Sequence, residues 1–91
     1  MARRKYELSW TEGAVADLER LPEKVAWAIV AFCETALIEN PHRVGKALFA
    51  PLDGLMSARR GTYRVIYRID EAVITVEIVR VRHRSKAYRN R

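Results

Sequence analysis

Apolar residues recur at every second position over residues 55–82, which is the spacing of β-strands. Gly61 and the pair Asp70-Glu71 interrupt this alternation, and both signals are typical of tight turns. Because such strands bury one face of a sheet, the rest of the chain has to cover that face. The pattern predicts an antiparallel meander of three strands, over residues 55–60, 62–69 and 73–82.

The first half of the chain supplies the covering layer. Residues 6–10 alternate like a short strand, and the hydroxyl of Thr11 can then cap a helix. Helical periodicity continues to residue 38, interrupted by Pro22, and Asn40-Pro41 ends it before a predicted loop over 41–54. The prediction is one α+β domain over residues 1–91: an N-terminal strand, a two-helix hairpin packed on an antiparallel sheet that ends in the meander, and a short C-terminal tail or helix.

Positive charge is concentrated in the meander and the residues after it. Residues 55–91 contain ten Lys and Arg against three acids, a net charge of +7, whereas residues 1–54 carry −1. Nine of the ten bases are Arg, whose planar guanidinium suits phosphate. We therefore expect a polyanion, RNA or DNA, to bind here. The residues expected to bind RNA are Lys46, Arg59, Arg60, Arg68, Arg82, Lys86 and Arg89.

Alternation divides the side chains of the second meander strand between two faces. The face predicted to be buried carries Tyr63, Val65, Tyr67 and Ile69. Arg64 and Arg68 share the other face. If the helices cover the apolar face, these two arginines either only solvate the open face or bind phosphate there.

The second helix is apolar on all sides instead of one. Its outer side carries Trp27, Ala31 and Ile38, opposite the stripe predicted to face the core. Such a stripe on a small domain indicates cover by another part of the chain or by a partner, and we expect a partner.

Few residues are available for metals, disulfides or membranes. Cys33 is the single cysteine and lies in an apolar stretch, which predicts a core residue in a cytoplasmic protein. His42 and His83 are far apart in sequence and lack clustered acids, so we expect no metal site and no cofactor. The longest apolar run, residues 25–33, is too short to span a bilayer, so no membrane partner is expected.

Two patterns in the second half are moderately specific when they occur together. One is Arg-x-Gly-x-Tyr-Arg-x-x-Tyr, beginning at Arg59, and the other is a His-Arg pair at His83 with a later Tyr. With the segments around them, they resemble the RelE/ParE superfamily of bacterial toxins, and its RelE branch in particular. The matching segments are Trp10-Thr11 with Ala14, Asp17-Leu18, Leu21-Pro22, Asn40-Pro41, Gly45-Lys46, Leu48, residues 57–67, residues 81–84 and Tyr88-Arg89.

The resemblance implies a toxin that cleaves mRNA in the ribosomal A site and that a cognate antitoxin neutralises. No metal takes part in that reaction: the ribose 2′-OH attacks the adjacent phosphate and expels the 5′ oxygen. The implied partners are the antitoxin, the ribosome and mRNA, with DNA contacted only indirectly through the antitoxin complex. To cover a cationic site, the antitoxin is expected to be acidic, partly disordered, and anchored on Trp27, Ala31 and Ile38.

The resemblance also assigns catalytic roles. Arg64 matches the strand arginine that holds the scissile phosphate, and Arg84 matches the C-terminal arginine near the leaving group. Tyr88 matches the tyrosine proposed to act as base or to stack on a nucleobase. Arginine is a poor proton donor, so the arginine roles are electrostatic. His83 is the alternative acid or base, since imidazole titrates near neutral pH.

The sequence departs from the RelE branch on the strand entering the meander, where that branch carries a pair of lysines. This chain has Leu55 and Ser57 near those positions. Arg59, Arg60 and Lys46 are the bases available to replace the missing charge.

Two other functions remain open at this point. A ParE-type toxin shares the fold but inhibits DNA gyrase without nuclease activity, and such chains generally lack the full set of Arg64, Arg84 and Tyr88. A non-catalytic RNA-binding module would use the cationic residues only to bind phosphate. Loss of Tyr88 distinguishes the module, which tolerates it, from a nuclease, which does not.

Overall fold

The computed structural model describes residues 5–86, with Lys86 described only through its backbone. Within these residues, no helix has the length and apolar character needed to cross a membrane. The elements are β1 (Glu7–Trp10), α1 (Glu12–Glu19), α2 (Glu23–Phe32) with a π-helical turn at Cys33–Leu37, α3 (Pro41–Val44), β2 (Lys46–Ala47), β3 (Met56–Arg60), β4 (Tyr63–Asp70), β5 (Thr75–His83) and a 3₁₀ turn at Arg84–Lys86.

One five-stranded sheet, in the order β1-β5-β4-β3-β2, carries the fold. The meander β3-β4-β5 is antiparallel, which confirms the prediction from alternation. β1 lies parallel to β5, with Glu7 opposite Thr75 and Trp10 opposite Ile78. β2 pairs antiparallel with β3 at the other edge. The segment 41–54, predicted to be a loop, therefore contains α3 and β2 and extends the sheet.

The core lies between α2 and one face of the sheet. Ile29, Cys33 and Leu37 of the long helix are buried against residues of the three central strands and α1, namely Ala14, Ala58, Val65, Tyr67, Val76, Ile78 and Val81. Burial raises the pKa of the Cys33 thiol to about 12. Cys33 is thus an unreactive core residue, as predicted.

The π-helical turn changes which side chains of the second helix face the core. Each residue of a π turn advances less around the helix axis than an α-helical residue does. Leu37 is consequently buried, whereas Ala36, which a regular helix would turn inward, is exposed. The prediction that Ile38 lies on the outer stripe is wrong for the same reason: its side chain is partly buried and packs against the core.

Thr11 and Asp17 attach α1 to β5. The Thr11 hydroxyl accepts a hydrogen bond from the amide of Ala14 at 3.1 Å and donates one to the carbonyl of Val79 at 2.8 Å. The buried carboxylate of Asp17 accepts hydrogen bonds from Arg80 Nε and Nη2 and from the amide of Val81, each at 2.9 Å. Burial would raise the pKa of Asp17, but these hydrogen bonds and the charges of Arg80 and Arg82 outweigh it and leave the pKa lowered.

Candidate nucleic-acid interface

Three arginines form a row across the face of the sheet that the helices leave open. Arg64 on β4 pairs with Arg59 on β3 and with Arg82 on β5, and directly opposed residues project from the same face. Neighbouring strands lie about 4.8 Å apart, so the row places three positive charges within roughly 10 Å of backbone. Like charges in this arrangement destabilise a sheet, so an anion bound to the row is stabilising.

Arg64, in the middle of this arginine row, is partly enclosed by the protein. Its side chain is half-buried, and Nη1 is fully buried with no hydrogen-bond partner among the residues that the structure describes. A buried donor of this kind needs an acceptor, because leaving it unpaired carries a desolvation penalty. An oxygen of a bound phosphate would satisfy it. The sequence prediction placed Arg64 on an open surface, and the half-burial was not anticipated.

A cleft of about 530 Å³ opens beside the arginine row. Lys46 contributes to it from β2, where it pairs with Ser57 of β3 and so shares the open face with Arg59 and Arg64. Val44, Ala47, Leu48 and Phe49 supply its apolar lining. Lys46 thus lies next to Ser57, which is near one of the two positions where the resemblance to the RelE branch implies a lysine, and supplies a positive charge from the adjacent strand.

A close backbone approach fixes the position of Lys46. The hydroxyl of the buried Tyr67 donates a hydrogen bond to the carbonyl of Pro41 at 2.6 Å. Burial raises the pKa of Tyr67 to about 12, so this hydroxyl stays protonated. Gly45 lies against the same hydroxyl, and a Cβ there would come within 2.8 Å of the Ser57 carbonyl. The absence of a side chain at Gly45 therefore lets β2 approach β3.

The other predicted RNA-binding residues on the meander differ in their surroundings. Arg68 lies on the open face and its Nε is 3.5 Å from a carboxylate oxygen of Glu77. Arg82 Nε is 3.8 Å from the Asp17 carboxylate. Arg60 pairs with Tyr63 and so projects toward the helices, where it lines a second cleft together with Lys24. The structure therefore does not bring Arg60 together with the arginine row.

His83 is also directed away from Arg64. It pairs with Tyr63, and the two rings contact edge to face with centroids 5.5 Å apart. The amide of Ser85 donates a hydrogen bond to its Nδ1 at 3.3 Å. These contacts place the imidazole on the helix side of the sheet, across from the half-buried arginine.

The C-terminal candidates are only partly described. Arg84 begins the 3₁₀ turn, is exposed, and its amide donates a hydrogen bond to the carbonyl of Thr62 at 2.7 Å. The side chain of Lys86, and Tyr88 and Arg89 entirely, lie outside the described residues. Their predicted roles stay predictions.

An apolar groove on the helix layer contains the predicted partner residue Trp27. Trp27 is 66% exposed and lines the groove between α1 and α2 with Val15, Leu18 and Val30. Ala31 is exposed as well. The outer stripe therefore consists of Trp27 and Ala31 without Ile38, and it continues toward α1 instead of toward the end of the helix.

Sequence reasoning did not identify Phe49 as a residue of the cationic cleft. Phe49 is exposed and lies in the segment predicted to be a loop. A large aromatic residue between Gly45 and Pro51, three residues after Lys46, was the available signal. The described residues 5–86 contain no group of three His, Cys, Asp or Glu side chains arranged to hold a metal ion.

Comparison with known proteins identifies the family. The family described as the ParE toxin of the type II toxin–antitoxin system parDE matches residues 8–88. The toxin RelE of Mycobacterium tuberculosis is 51% identical over 84 residues, covering 92% of this chain and 87% of that protein. The toxin RelG of the same organism is 48% identical over 84 residues, covering 92% and 97%.

The fold agrees with this assignment. The chain is similar to the toxin–antitoxin complex RelBE2 from Mycobacterium tuberculosis, with a TM-score of 0.86 at 47% identity, covering 89% of this chain and 100% of that chain. The arrangement of helices on a mostly antiparallel sheet and the conserved order of elements are thus shared. The chain belongs to the RelE/ParE family of toxins from type II toxin–antitoxin systems.

Proposed function

We propose that this toxin is a metal-independent endoribonuclease that cleaves mRNA in the ribosomal A site and so stops translation. The arginine row carries the proposal, because it places a half-buried guanidinium with an unpaired Nη1 between two further arginines on an open sheet face. Similarity to toxins named RelE and RelG supports the nuclease over other activities of the family.

Each step of the reaction has a candidate residue. Arg64 binds the scissile phosphate, and Arg59 and Lys46 add positive charge as the phosphorane becomes more negative. Arg84 stabilises the departing 5′ oxygen, and Tyr88 takes the proton of the 2′-OH or stacks on a base. His83 is the weaker candidate for acid or base, because its ring contacts Tyr63 on the opposite face.

Arg64→Ala tests the proposal directly. Purified toxin is added to translating ribosomes, and the 5′ ends of the mRNA are mapped. Wild-type protein should cut within codons, and Arg64→Ala should lose at least about a hundredfold in rate, since it removes stabilisation that develops in the transition state. Arg20→Ala, which removes an exposed arginine at the end of α1, is the matched control and should cut normally. Cutting by Arg64→Ala at the wild-type rate would contradict the proposal.

A gyrase inhibitor is the second candidate, favoured by the description of the matching family as a ParE toxin. Such a toxin would leave mRNA intact and induce a DNA-damage response on expression.

Tyr88→Phe addresses the remaining alternative, an RNA-binding module. A module would keep its RNA affinity and have no cleavage to lose, whereas the nuclease should retain binding and cleave slowly.

We further propose that the antitoxin covers two surfaces. An acidic segment occupies the cationic cleft and excludes mRNA. An apolar segment anchors on Trp27 in the groove and on the exposed Ala31 of the same helix. The exposed Trp27 supports this location, since tryptophan is enriched among the residues that dominate binding energy.

A further inference from the structure

Phe49 is the most exposed large hydrophobic side chain in the part of the chain that the structure describes, at 86% accessibility. The ring is not among the side chains that form the core or pack against it, so burial does not explain why an aromatic residue stands here. A single exposed apolar side chain carries no functional meaning by itself, so the surroundings of the ring have to decide its role.

The ring lies at the edge of a cationic cleft. Phe49 lines the same 530 Å³ cleft as Lys46, Arg59 and Arg64, and no acidic residue lines it. Proteins that bind single-stranded nucleic acid combine these two features, since cations contact the phosphates and an aromatic face stacks on a base.

Backbone hydrogen bonds hold Phe49 in position. The amide of Leu48 donates to the carbonyl of Leu55 at 3.0 Å, and the amide of Leu52 donates to the carbonyl of Phe49 at 2.8 Å. Leu55 in turn donates to the carbonyl of Leu52 at 3.1 Å. The residue therefore sits on a hydrogen-bonded turn next to β3, so that little ordering entropy is lost when a base stacks on the ring.

We propose that Phe49 stacks on the nucleobase adjacent to the phosphate held by Arg64, and so positions single-stranded RNA for cleavage. This inference rests on the proposed nuclease function and adds to it a base-binding subsite. A nucleobase fits better than a protein side chain, because the cleft presents three cations to a chain that carries a phosphate at every residue.

Phe49→Leu and Phe49→Trp form the matched pair for the test. Leucine keeps an apolar side chain of similar reach but lacks a π face, and tryptophan keeps the face. The probe is a hexaribonucleotide carrying 2-aminopurine, whose fluorescence falls when the base stacks. Wild type and Phe49→Trp should quench the fluorescence, whereas Phe49→Leu should not and should bind about tenfold more weakly. Because Phe49 is exposed, all three proteins should unfold at similar temperatures.

A ribosome assay separates failure of this inference from failure of the nuclease proposal. With mRNA on ribosomes, Phe49→Leu should raise KM more than it lowers kcat and should change which codons are cut. If the wild type cleaves mRNA and Phe49→Leu cleaves it with the same KM, kcat and codon distribution, the stacking role is overturned but the nuclease proposal is not. Absence of wild-type cleavage overturns both. Loss of antitoxin affinity in Phe49→Leu, without loss of RNA affinity or cleavage, assigns the ring to the antitoxin and also overturns the stacking role.

Discussion

At the scale of single residues, Asp17 joins α1 to β5 through its buried carboxylate. Its buried carboxylate receives three hydrogen bonds from Arg80 and the amide of Val81, at an edge of β5 that β1 does not reach. The same carboxylate lies 3.8 Å from Nε of Arg82, a member of the arginine row. One acid thus accepts the hydrogen bond of a strand-edge amide and neutralises charge at Arg80 and Arg82.

Asp17→Asn should destabilise the protein by about 2 kcal/mol or more at pH 7. The loss is smaller than for a fully buried pair because the Arg80 side chain is 38% exposed. Glu77→Gln, which alters the exposed pair with Arg68, should cost less than about 1 kcal/mol. Urea denaturation of the three proteins measures both values, and equal stabilities of wild type and Asp17→Asn would contradict the expectation.

The difference in the free energy of unfolding between wild type and Asp17→Asn should depend on pH in one direction. The folded state lowers the pKa of Asp17 below its ordinary value of 3.8, so its stabilisation is complete above that pH and is lost as the pH falls through the lowered pKa. The gap in the free energy of unfolding between wild type and Asp17→Asn should therefore be widest near neutral pH and should close in acid. A gap that widens below pH 3.8 would show that Asp17 is not the group responsible.

At the scale of elements, the meander and the helical hairpin were predictable because they depend on local periodicity. The parallel pairing of β1 with β5 was not, since it joins residues nearly seventy positions apart. A β-bulge in β5 was not predicted either. It leaves Val79 unpaired between the pairs Ile66–Arg80 and Tyr67–Ile78. Strict alternation would place Ile78 and Arg80 on one face, and the bulge allows Ile78 to face the core while Arg80 does not.

The candidate site divides in the same way. Arg64 was identified through the resemblance and its strand position. That Arg59 and Arg82 lie on either side of it depends on the register of the strands, which cannot be read from the sequence. Lys46 was predicted to bind RNA, but its position beside Ser57 needed the structure, because β2 is only two residues long and lies within an apparent loop. Phe49, in the same segment, was not predicted at all. Ile38 was misplaced by the π-helical turn, which a wheel drawn at a constant angle cannot represent.

Gly45→Ala should disrupt the junction between α3 and β2. The added Cβ would meet the Tyr67 hydroxyl and the Ser57 carbonyl, both of which are buried, and we expect a loss of about 2 kcal/mol in stability. RNA cleavage should fall too, because Lys46 would shift. Gly61→Asn is the control: no atom lies within 4 Å of a Cβ there, and asparagine tolerates the positive φ of 63°. A thermal denaturation curve for Gly45→Ala that matches wild type would contradict this view of the junction.

Trp27→Ala should weaken the antitoxin complex by about 2 kcal/mol or more, roughly thirtyfold in Kd, while leaving toxicity intact. Trp27 is exposed, so its removal should not unfold the free toxin. Val73→Ala removes another exposed apolar side chain, in the turn between β4 and β5, and should not affect the complex. Calorimetric titration of the toxin variants with antitoxin measures the difference. Equal affinities for wild type and Trp27→Ala would place the anchor elsewhere.

At the scale of the whole molecule, the charge of +6 is distributed unevenly, and the excess lies in residues 55–91. If about five phosphates contact this region, the affinity for single-stranded RNA should fall with salt at a log–log slope of roughly −3 to −4. Removing Arg59 and Arg82 together should make the slope shallower by about 1.4. Fluorescence titrations between low and physiological salt test both values, and a flat wild-type affinity would show that charge does not determine binding.

The arginine row has a thermodynamic consequence for the chain's life in a cell. A fold that places Arg59, Arg64 and Arg82 side by side gives up stability whenever that surface is empty, although the Asp17 carboxylate near Arg82 offsets part of the repulsion. By linkage, any anion that binds only the folded form returns stability in proportion to its occupancy, whether it is RNA or an acidic antitoxin segment. The toxin with an empty row is then the least stable form of the chain, and an antitoxin that covers the row, as proposed above, would also protect the toxin from unfolding and proteolysis. Loss of the antitoxin would therefore release an active toxin and, in the same event, begin to limit how long that toxin survives.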